Sequence, residues 1–355
     1  MKVLWIFAHP ERRSLSAALR DDGLRALREH GHEVRESDLY AMGWNPVVDA
    51  ADFGHDPDER LLVAAASEEA YTSGGLSADI RAEHAKLAWA DTVVVQFPLW
   101  WFGMPAILKG WFDRVFVKGL AYGVVEHGPE GRRTLRYGEG RLAGKRAMVV
   151  VTAGGTAASY GPRGVNGQLE DLLFPLQHGT FFYAGMSVVP PVLVSGADRL
   201  SEAGRAAAAA ELRARLLALA DTDPIPFRAQ NGGDYDADLT LRPEQEPGRA
   251  GVAVHVRPAA LERPRRPDRC RARGGTNRWA RLRLEAGPPA SSVAVRGAGP
   301  EHVRRAPRRR QALGPAAPPP AVGPAALTPT SAGPVTALVW DRTLRWLRRS
   351  SQVAR

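Results

Sequence analysis

Uninterrupted apolar runs that alternate with helical patterns are the feature that most limits the fold of this chain. Runs without polar interruption are typical of strands buried on both faces, as in a parallel sheet covered by helices. The predicted strands are Val3–Ala8, Glu33–Leu39, Thr92–Phe97, Arg146–Thr152 and Met186–Val192. The predicted helices are Ser14–Glu29, Ser77–Ala90, Pro105–Phe116, a weaker one near Gly167–Leu172, and Ser201–Ala220. This alternation predicts an α/β fold with a doubly wound, five-stranded parallel sheet and helices on both faces.

The pattern stops near Val256, where the composition changes. Residues 256–355 contain 21 Arg, no Lys, 5 Asp or Glu, and half of the 28 prolines. Such a segment buries too little apolar surface to offset the entropy of ordering it. We predict a domain over residues 1–255 and a disordered, Arg-, Pro- and Ala-rich low-complexity tail over residues 256–355. The tail has a net charge of +16 and residues 1–255 have a net charge of −6, which together give the +10 of the chain. Only the tail could bind nucleic acid, weakly and in a salt-dependent way.

Cysteine, histidine and apolar-run content limit the compartment and the metal chemistry. Cys270 is the single cysteine, which excludes an internal disulfide and fits a reducing, cytoplasmic location. No apolar run approaches the ~20 residues needed to cross a bilayer, so no membrane span is expected. His30 and His32 lack partners at ligand spacing, and we therefore predict no metal site.

Three segments follow the first, third and fourth predicted strands. In a doubly wound sheet with a flavodoxin-like strand order, ligands bind outside the carboxyl ends of the strands. The first segment holds His9, Ser14, Leu15 and Ser16 at a helix start, where backbone N–H groups, hydroxyls and an imidazole suit a phosphate. It is not Gly-rich, so neither a dinucleotide fingerprint nor a Walker loop applies. The alternative is a plain helix start that Ser14 or Ser16 caps.

The second segment is Pro98, Leu99, Trp100, Trp101 and Phe102, followed by glycine. A loop that only turns needs Gly, Asn or Asp rather than three consecutive aromatic residues. At a strand end, these side chains would offer apolar walls and stacking faces to a planar aromatic ligand. The alternative is a core or dimer patch, since aromatic clusters usually pack.

The third segment contains Thr152, Gly154, Gly155 and Tyr160. Adjacent glycines let a ligand approach the backbone and offer N–H donors, and Tyr160 adds a hydroxyl. The alternative is an ordinary turn. No Gly-x-Ser-x-Gly elbow occurs, so a hydrolase is poorly supported.

The run FPLWWFGMPAILKGWFDRVF, from Phe97 to Phe116, resembles the signature of the NAD(P)H:quinone oxidoreductases, the DT-diaphorase-like flavoproteins. Shorter matches are AHPERRS at Ala8–Ser14, SDLYAM at Ser37–Met42 and TAGG at Thr152–Gly155. The resemblance covers roughly residues 1–255. It implies a flavodoxin-like fold, a bound FAD (FMN being the alternative), homodimerisation, and ping-pong, two-electron reduction of quinones by NADH or NADPH.

The resemblance also implies roles for individual residues. Contacts to the flavin phosphate and ribose are implied for His9, Ser14 and Ser16, with Leu15 between them. A wall for the isoalloxazine is implied for Pro98, Leu99, Trp101 and Phe102, with Trp100 beside them. The pyrimidine end is assigned to Thr152, Gly154, Gly155 and Tyr160. Asp113 is expected near the partner subunit's cofactor, and Arg205 on the adenosine side.

This chain departs from the best-known members at two of these positions. Trp100 stands where they have Gln, and Asn166 stands where they have a histidine thought to share flavin charge with the tyrosine. Asn donates a hydrogen bond but cannot take a full positive charge. Tyr160, Gly154, Gly155 and Asn166 are the catalytic candidates. The segment Gly119–Lys145 is longer and more polar than in those members, so substrate preference stays open. The alternative functions are an azo- or nitroreductase on the same fold and a flavin-free, flavodoxin-like regulatory subunit.

Overall fold

The structure is a computed structural model that describes residues 1–128 and 131–258. Its strands are β1 Lys2–Phe7, β2 Glu33–Asp38, β3 Thr92–Pro98, β4 Val125–Gly128, β5 Gly131–Thr134, β6 Arg146–Ala153, β7 Ser187–Val188 and β8 Val192–Ser195. Its α-helices are α1 Leu15–Glu29, α2 Val63–Ser73, α3 Ala78–Trp89, α4 Ala106–Val115, α5 Leu169–Leu176 and α6 Glu202–Leu217. The main sheet runs in the order β2-β1-β3-β6, with β7 and β8 both pairing with β6. Every pairing in this sheet is parallel, as predicted.

The predicted fifth strand, Met186–Val192, was wrong as one continuous element. Pro190 and Pro191 divide it into β7, which pairs with the start of β6, and β8, which pairs with its end. Proline lacks the N–H that a ladder needs, so two prolines in sequence interrupt pairing. The consequence is that β8 ends at Ser195, and the loop after it reaches the carboxyl edge of the sheet.

Three further differences concern the elements around the sheet. Helix α2 and the β4–β5 hairpin are absent from the predicted elements, and α2 has no side-chain cap that would signal its start. The weak helix near Gly167–Leu172 is instead α5, which contains Pro175 and continues as a π-helical turn, Gln177–Phe182. Ser77 occupies the cap position of α3, but its hydroxyl donates to Asp79 at 2.5 Å rather than capping a backbone N–H.

The core lies on both faces of the sheet because side chains alternate along each strand. On β1, Leu4 and Ile6 join the larger cluster on one face, while Trp5 and Phe7 join the cluster on the other. All seven residues of β3 are buried. This two-sided burial is the physical reason why β1, β3 and β6 show as largely apolar runs, whereas the edge strand β2 is polar and mostly exposed or half-buried.

Arg114 anchors α4 by a buried ion-pair network. Its Nε donates to both carboxylate oxygens of Asp52 at 3.0 and 3.1 Å, and Nη1 donates to Asp79 at 2.7 Å. Its guanidinium carbon also lies 4.6 Å from the ring centroid of Trp44. A buried charge with this many partners is satisfied, and losing one partner would leave an uncompensated charge. The network therefore holds the helix that follows the aromatic loop.

The C-terminal part of the described chain packs back onto the domain. The buried Arg228 donates to the backbone carbonyl of Val254 at 2.9 Å and pairs with Asp234 at 3.0 Å. Packing contacts continue past the predicted boundary at 255, since Arg257 also pairs with Asp234 at 3.0 Å. The predicted tail from residue 259 onward, with Cys270, lies outside the described residues.

His178 gives the domain a predicted dependence of stability on pH. Burial, with a smaller effect from His255, lowers the pKa of His178 from 6.5 to about 4. The unfolded chain takes up this proton below pH 6.5, whereas the folded chain does so only near pH 4. The contribution to stability is therefore complete above pH 6.5 and is lost as the pH falls toward 4, by up to roughly 3 kcal/mol.

The measurement is urea unfolding of wild type and His178→Phe between pH 7 and pH 4. The variant keeps an aromatic ring in the stack but has no group that titrates there. We therefore expect its free energy of unfolding to fall less steeply with decreasing pH in this window, by the slope that uptake of about one proton gives. The exposed His127→Gln is the matched control and should keep the wild-type slope. Identical slopes for wild type and His178→Phe would contradict the assignment.

Candidate active site

A cleft of about 370 Å³ opens at the carboxyl ends of β1, β3 and β6. The residues that line it are His9, Ser14, Leu15, Ser16, Pro98, Leu99, Trp100, Thr152, Ala153, Gly154, Ala197 and Asp198. Three loops far apart in sequence thus meet at this edge of the sheet. Five predicted site residues belong to these loops or follow them but do not line the cleft itself: Trp101, Phe102, Gly155, Tyr160 and Asn166. The sheet brings them together because parallel strands end at the same edge.

Both serine hydroxyls of the first loop make hydrogen bonds within the chain. Ser14 caps α1, since its Oγ accepts the N–H of Ala17 at 3.1 Å, so the helix-cap alternative is confirmed for this residue. Ser16 is buried, and its Oγ shares a hydrogen bond of 2.8 Å with the hydroxyl of Thr152. The Nδ1 of His9 lies 3.1 Å from the backbone nitrogen of Glu11 and 3.2 Å from its carbonyl oxygen, so the backbone of Glu11 holds the ring in either tautomer. The Nε2 atom is left to bond a ligand, as donor or acceptor according to the tautomer.

The aromatic loop has a strained backbone and an exposed surface. Trp101 and Phe102 have φ of 50° and 61°, a region that bulky side chains rarely adopt. The side chain of Trp101 is 96% exposed, although an indole normally packs. The loop is held at its ends, because Leu99 N–H donates to Thr152 O at 2.9 Å and Gly103 N–H donates to Trp100 O at 3.0 Å. Strain combined with exposure at a cleft edge is typical of a binding surface.

The glycine loop brings three of the predicted catalytic residues into contact. A Cβ at Gly155 would lie 2.9 Å from Tyr160 Cε2 and 3.1 Å from the side-chain nitrogen of Asn166. A Cβ at Gly154 would lie 2.9 Å from a carboxylate oxygen of Asp198. Neither glycine has a positive φ, so close approach rather than backbone conformation explains both. The loop exposes backbone at the rim of the cleft.

Asn166 is tied into this loop by a short chain of hydrogen bonds. Its Nδ2 donates to Ser159 Oγ at 3.0 Å, and Ser159 Oγ donates to Thr156 O at 2.7 Å. The neighbouring Tyr160 ring is 7% exposed, and no hydrogen bond to its hydroxyl is found within residues 1–128 and 131–258. The Tyr160 hydroxyl can therefore donate to a ligand, while Asn166 is positioned by Ser159.

Two charged residues after β8 were missed. Asp198 lines the cleft, and Arg199 donates to the backbone carbonyl of Gly154 at 2.9 Å. The sequence analysis missed them because it ended the fifth strand at Val192. With that end, residues 196–199 would lie beyond the loop at the carboxyl end of the strand, whereas β8 in fact ends at Ser195. The turn signal Ser195-Gly196 could have located them.

Two predicted cofactor-binding residues, Asp113 and Arg205, lie away from the cleft in the structure. Asp113 pairs with Lys109 on the exposed side of α4 at 2.6 Å and lines a different cavity, of about 450 Å³. Arg205 is exposed in the first turn of α6, where its Nε donates to Leu200 O at 3.2 Å. The structure therefore does not bring Asp113 and Arg205 to the cleft.

Comparison with known proteins agrees with this geometry. Residues 1–216 match the family described as having a flavodoxin-like fold. A ribosyldihydronicotinamide dehydrogenase-like protein of Penicillium crustosum is 47% identical over 260 residues, which cover 72% of this chain and 96% of that protein. NAD(P)H dehydrogenase [quinone] 1 of Rattus norvegicus is 35% identical over 261 residues, covering 71% and 92%. The chain belongs to the NAD(P)H:quinone oxidoreductase family.

A solved structure of the same family extends the likeness to three dimensions. A protein from Klebsiella pneumoniae, provisionally described as a quinone reductase, is 53% identical with a TM-score of 0.69. The alignment covers 72% of this chain and 100% of that one. About 260 residues thus span nearly the full length of these family members. In the described ranges 1–128 and 131–258, no helix is long and apolar enough to cross a membrane.

Trp101 provides the sharpest test of the cleft. Replacing Trp101 with Ala removes an exposed stacking face while keeping the strained backbone, so flavin affinity should fall about tenfold or more. Trp101→Phe keeps a ring and should retain most of the affinity. Flavin content after dialysis and the dissociation constant from fluorescence titration measure the effect.

The exposed Leu62→Ala, which lies just before α2 and outside the three loops, serves as the control and should bind flavin like wild type. Equal flavin retention by Trp101→Ala and wild type would show that the indole does not contact the cofactor.

Proposed function

We propose that this chain is a flavin-dependent NAD(P)H:quinone oxidoreductase that binds FAD and acts as a homodimer in the cytoplasm. The observation that carries the proposal is the meeting of an aromatic loop, a close-packed glycine loop and an unpaired tyrosine hydroxyl at one sheet edge. This arrangement pairs a flat apolar face with hydrogen-bond donors, which is what a planar ligand with a polar edge requires.

The residues present fit a flavin. Gly154 is exposed and Gly155 half-buried, and without side chains their backbone suits close approach of a flat group. At the other end of the cleft, His9 Nε2 and the first turn of α1 suit a phosphate. Trp101 and Phe102 would cover the ring system, and Tyr160 with Gly155 would face its polar edge.

A bound flavin supplies hydride acceptance from a reduced nicotinamide and hydride donation to a quinone. In this proposal the Tyr160 hydroxyl and the Gly155 N–H would stabilise the negative charge that such a transfer develops. Trp101 and Phe102 orient the flat substrates and exclude water. Donor and acceptor take the same place in turn, which gives ping-pong kinetics.

Asn166 changes how a proton is handled beside Tyr160. Because its amide cannot be protonated near neutrality, Asn166 acts through hydrogen bonding alone. Its link to Ser159 at 3.0 Å supports a positioning role for the turn that carries Tyr160. Charge stabilisation then falls to Tyr160 and the backbone.

The names of the relatives leave two classes of hydride donor to compare. One relative is named for ribosyldihydronicotinamide and another for NAD(P)H. We infer that the donor is a dihydronicotinamide. Steady-state rates with NADH, NADPH and N-ribosyldihydronicotinamide would rank the three.

A dimer would use the face of α4 that carries Asp113. The cavity beside it is walled by Met104, Phe112 and Phe116, which form an apolar surface that a second copy could cover. Asp113 would then stand near the partner subunit's cofactor rather than its own. Sedimentation equilibrium tests the dimer, and release of the cofactor by acid followed by chromatography distinguishes FAD from FMN.

The function itself is tested by stopped-flow turnover with a quinone, an azo dye and a nitroarene. We expect a yellow protein absorbing near 450 nm and the largest kcat/KM with the quinone. A greater kcat/KM with the azo dye or nitroarene would favour that reductase activity. A colourless protein that takes up no flavin would favour a regulatory role.

Tyr160→Phe should slow reduction of the flavin by the nicotinamide while flavin occupancy stays nearly unchanged. A single donor to a developing anion contributes up to roughly 3–4 kcal/mol, and less here because backbone donors remain. Asn166→His is the companion variant and should introduce a pH dependence of reduction near neutrality. Wild-type rates in Tyr160→Phe would remove Tyr160 from the chemistry, and a flat pH profile in Asn166→His would do the same for position 166.

A further inference from the structure

A second cavity, of about 350 Å³, shares no lining residue with the cleft. Three parts of the chain form its wall: residues 136–137 after the hairpin, helix α5 with its π-helical continuation, and the C-terminal segment 228–255. Its volume falls in the range of small-molecule sites. The residues that line it are Arg136, Tyr137, Phe174, Pro175, His178, Gly179, Arg228, Gln230, Tyr235, Leu239 and His255.

His178 is a buried polar group without a partner in this wall. His178 is 8% exposed, and its Nε2 has no hydrogen-bond partner within the described part of the chain. The imidazole stacks on Phe174 with ring centroids 4.4 Å apart and on Tyr137 at 4.9 Å. Native proteins satisfy nearly all buried polar groups, so an orphaned one facing a cavity points to an absent partner.

The charge of the wall is positive. The charge of Arg228 is neutralised by ion pairs with Asp234 at 3.0 Å and Glu246 at 3.3 Å. Arg136 donates from Nε to Gln230, but among residues 1–128 and 131–258 no carboxylate lies within ion-pair distance of it. None of the lining residues is Asp or Glu. Arg136 is therefore a guanidinium that an anion in the cavity could pair with.

The other titratable groups of the wall are neutral near pH 7. Burial raises the pKa of the Tyr137 and Tyr235 hydroxyls and lowers the pKa of His255. The Tyr235 hydroxyl and His255 Nδ1 satisfy each other at 2.9 Å. One unmatched cation with aromatic walls favours a ligand that carries a single negative charge on a flat ring.

We propose that this cavity binds a planar aromatic carboxylate of one or two rings, with its carboxylate on Arg136 and its ring against Tyr137 and Phe174. A polar substituent on that ring would supply the missing hydrogen bond to His178. Because three distant segments form the wall, such a ligand would also stabilise the docking of the C-terminal segment.

The test is isothermal titration calorimetry of the full-length protein with 2-naphthoate and with its neutral isostere, 2-naphthamide. We expect 2-naphthoate to bind at least about tenfold more tightly than the amide and to raise Tm. Arg136→Gln should weaken naphthoate binding at least about tenfold. The matched control is Arg132→Gln, which removes the same charge from an exposed nearby position and should bind like wild type.

A second variant, His178→Phe, fills the stack with an apolar ring and should weaken binding of 3-hydroxy-2-naphthoate more than that of 2-naphthoate. The proposal is overturned if naphthoate shows no binding up to about 1 mM, if the amide binds equally well, or if a folded Arg136→Gln binds like wild type. Displacement of naphthoate by a quinone would also overturn it, because the cavity would then belong to the acceptor site.

Discussion

The buried side chain of Gln96 holds together the elements on which the cleft depends. Its Oε1 accepts the indole N–H of Trp5 at 3.1 Å, and its Nε2 donates to Ser16 O at 2.7 Å. Ser16 in turn shares a hydrogen bond with Thr152 at 2.8 Å. Strands β1, β3 and β6 and the start of α1 are thereby joined beneath the site. A fully satisfied buried network of this kind favours one arrangement of its members.

The aromatic loop connects this hydrogen-bond network to the Arg114–Asp52 ion pair. At one end Leu99 bonds to Thr152, and at the other α4 is held by Arg114 and Asp52. At Gly110, helix α4 packs directly on the backbone of Pro46, and a Cβ at this position would lie 2.1 Å from Pro46 O. A loop fixed at both ends can hold residues in sparsely populated conformations, which explains the positive φ of Trp101.

Hydrogen-bond donors lie beside the aromatic loop, and position 166 is an asparagine. Tyr160 brings a hydroxyl, Gly155 a backbone N–H, and the Asn166 amide donates to Ser159. Members of the family with a histidine at this position can move a proton there, whereas this chain keeps the group neutral.

The sequence by itself determined the fold class, the parallel strands and the three loops at their ends, because strand burial and helix periodicity are local patterns. It also predicted that His9, Trp100 and Gly154 lie at one edge of the sheet, since parallel strands end at one edge. Only the tertiary structure decided that Pro190 and Pro191 divide the last strand, that Asp198 lines the cleft and that Arg199 donates to Gly154 O. It alone placed Asn166 against Gly155 and paired Arg114 with Asp52. The proline pair and the Ser195-Gly196 turn are local signals, but the contacts of Asn166 and Arg114 join residues far apart in the chain, which no local pattern of residues encodes.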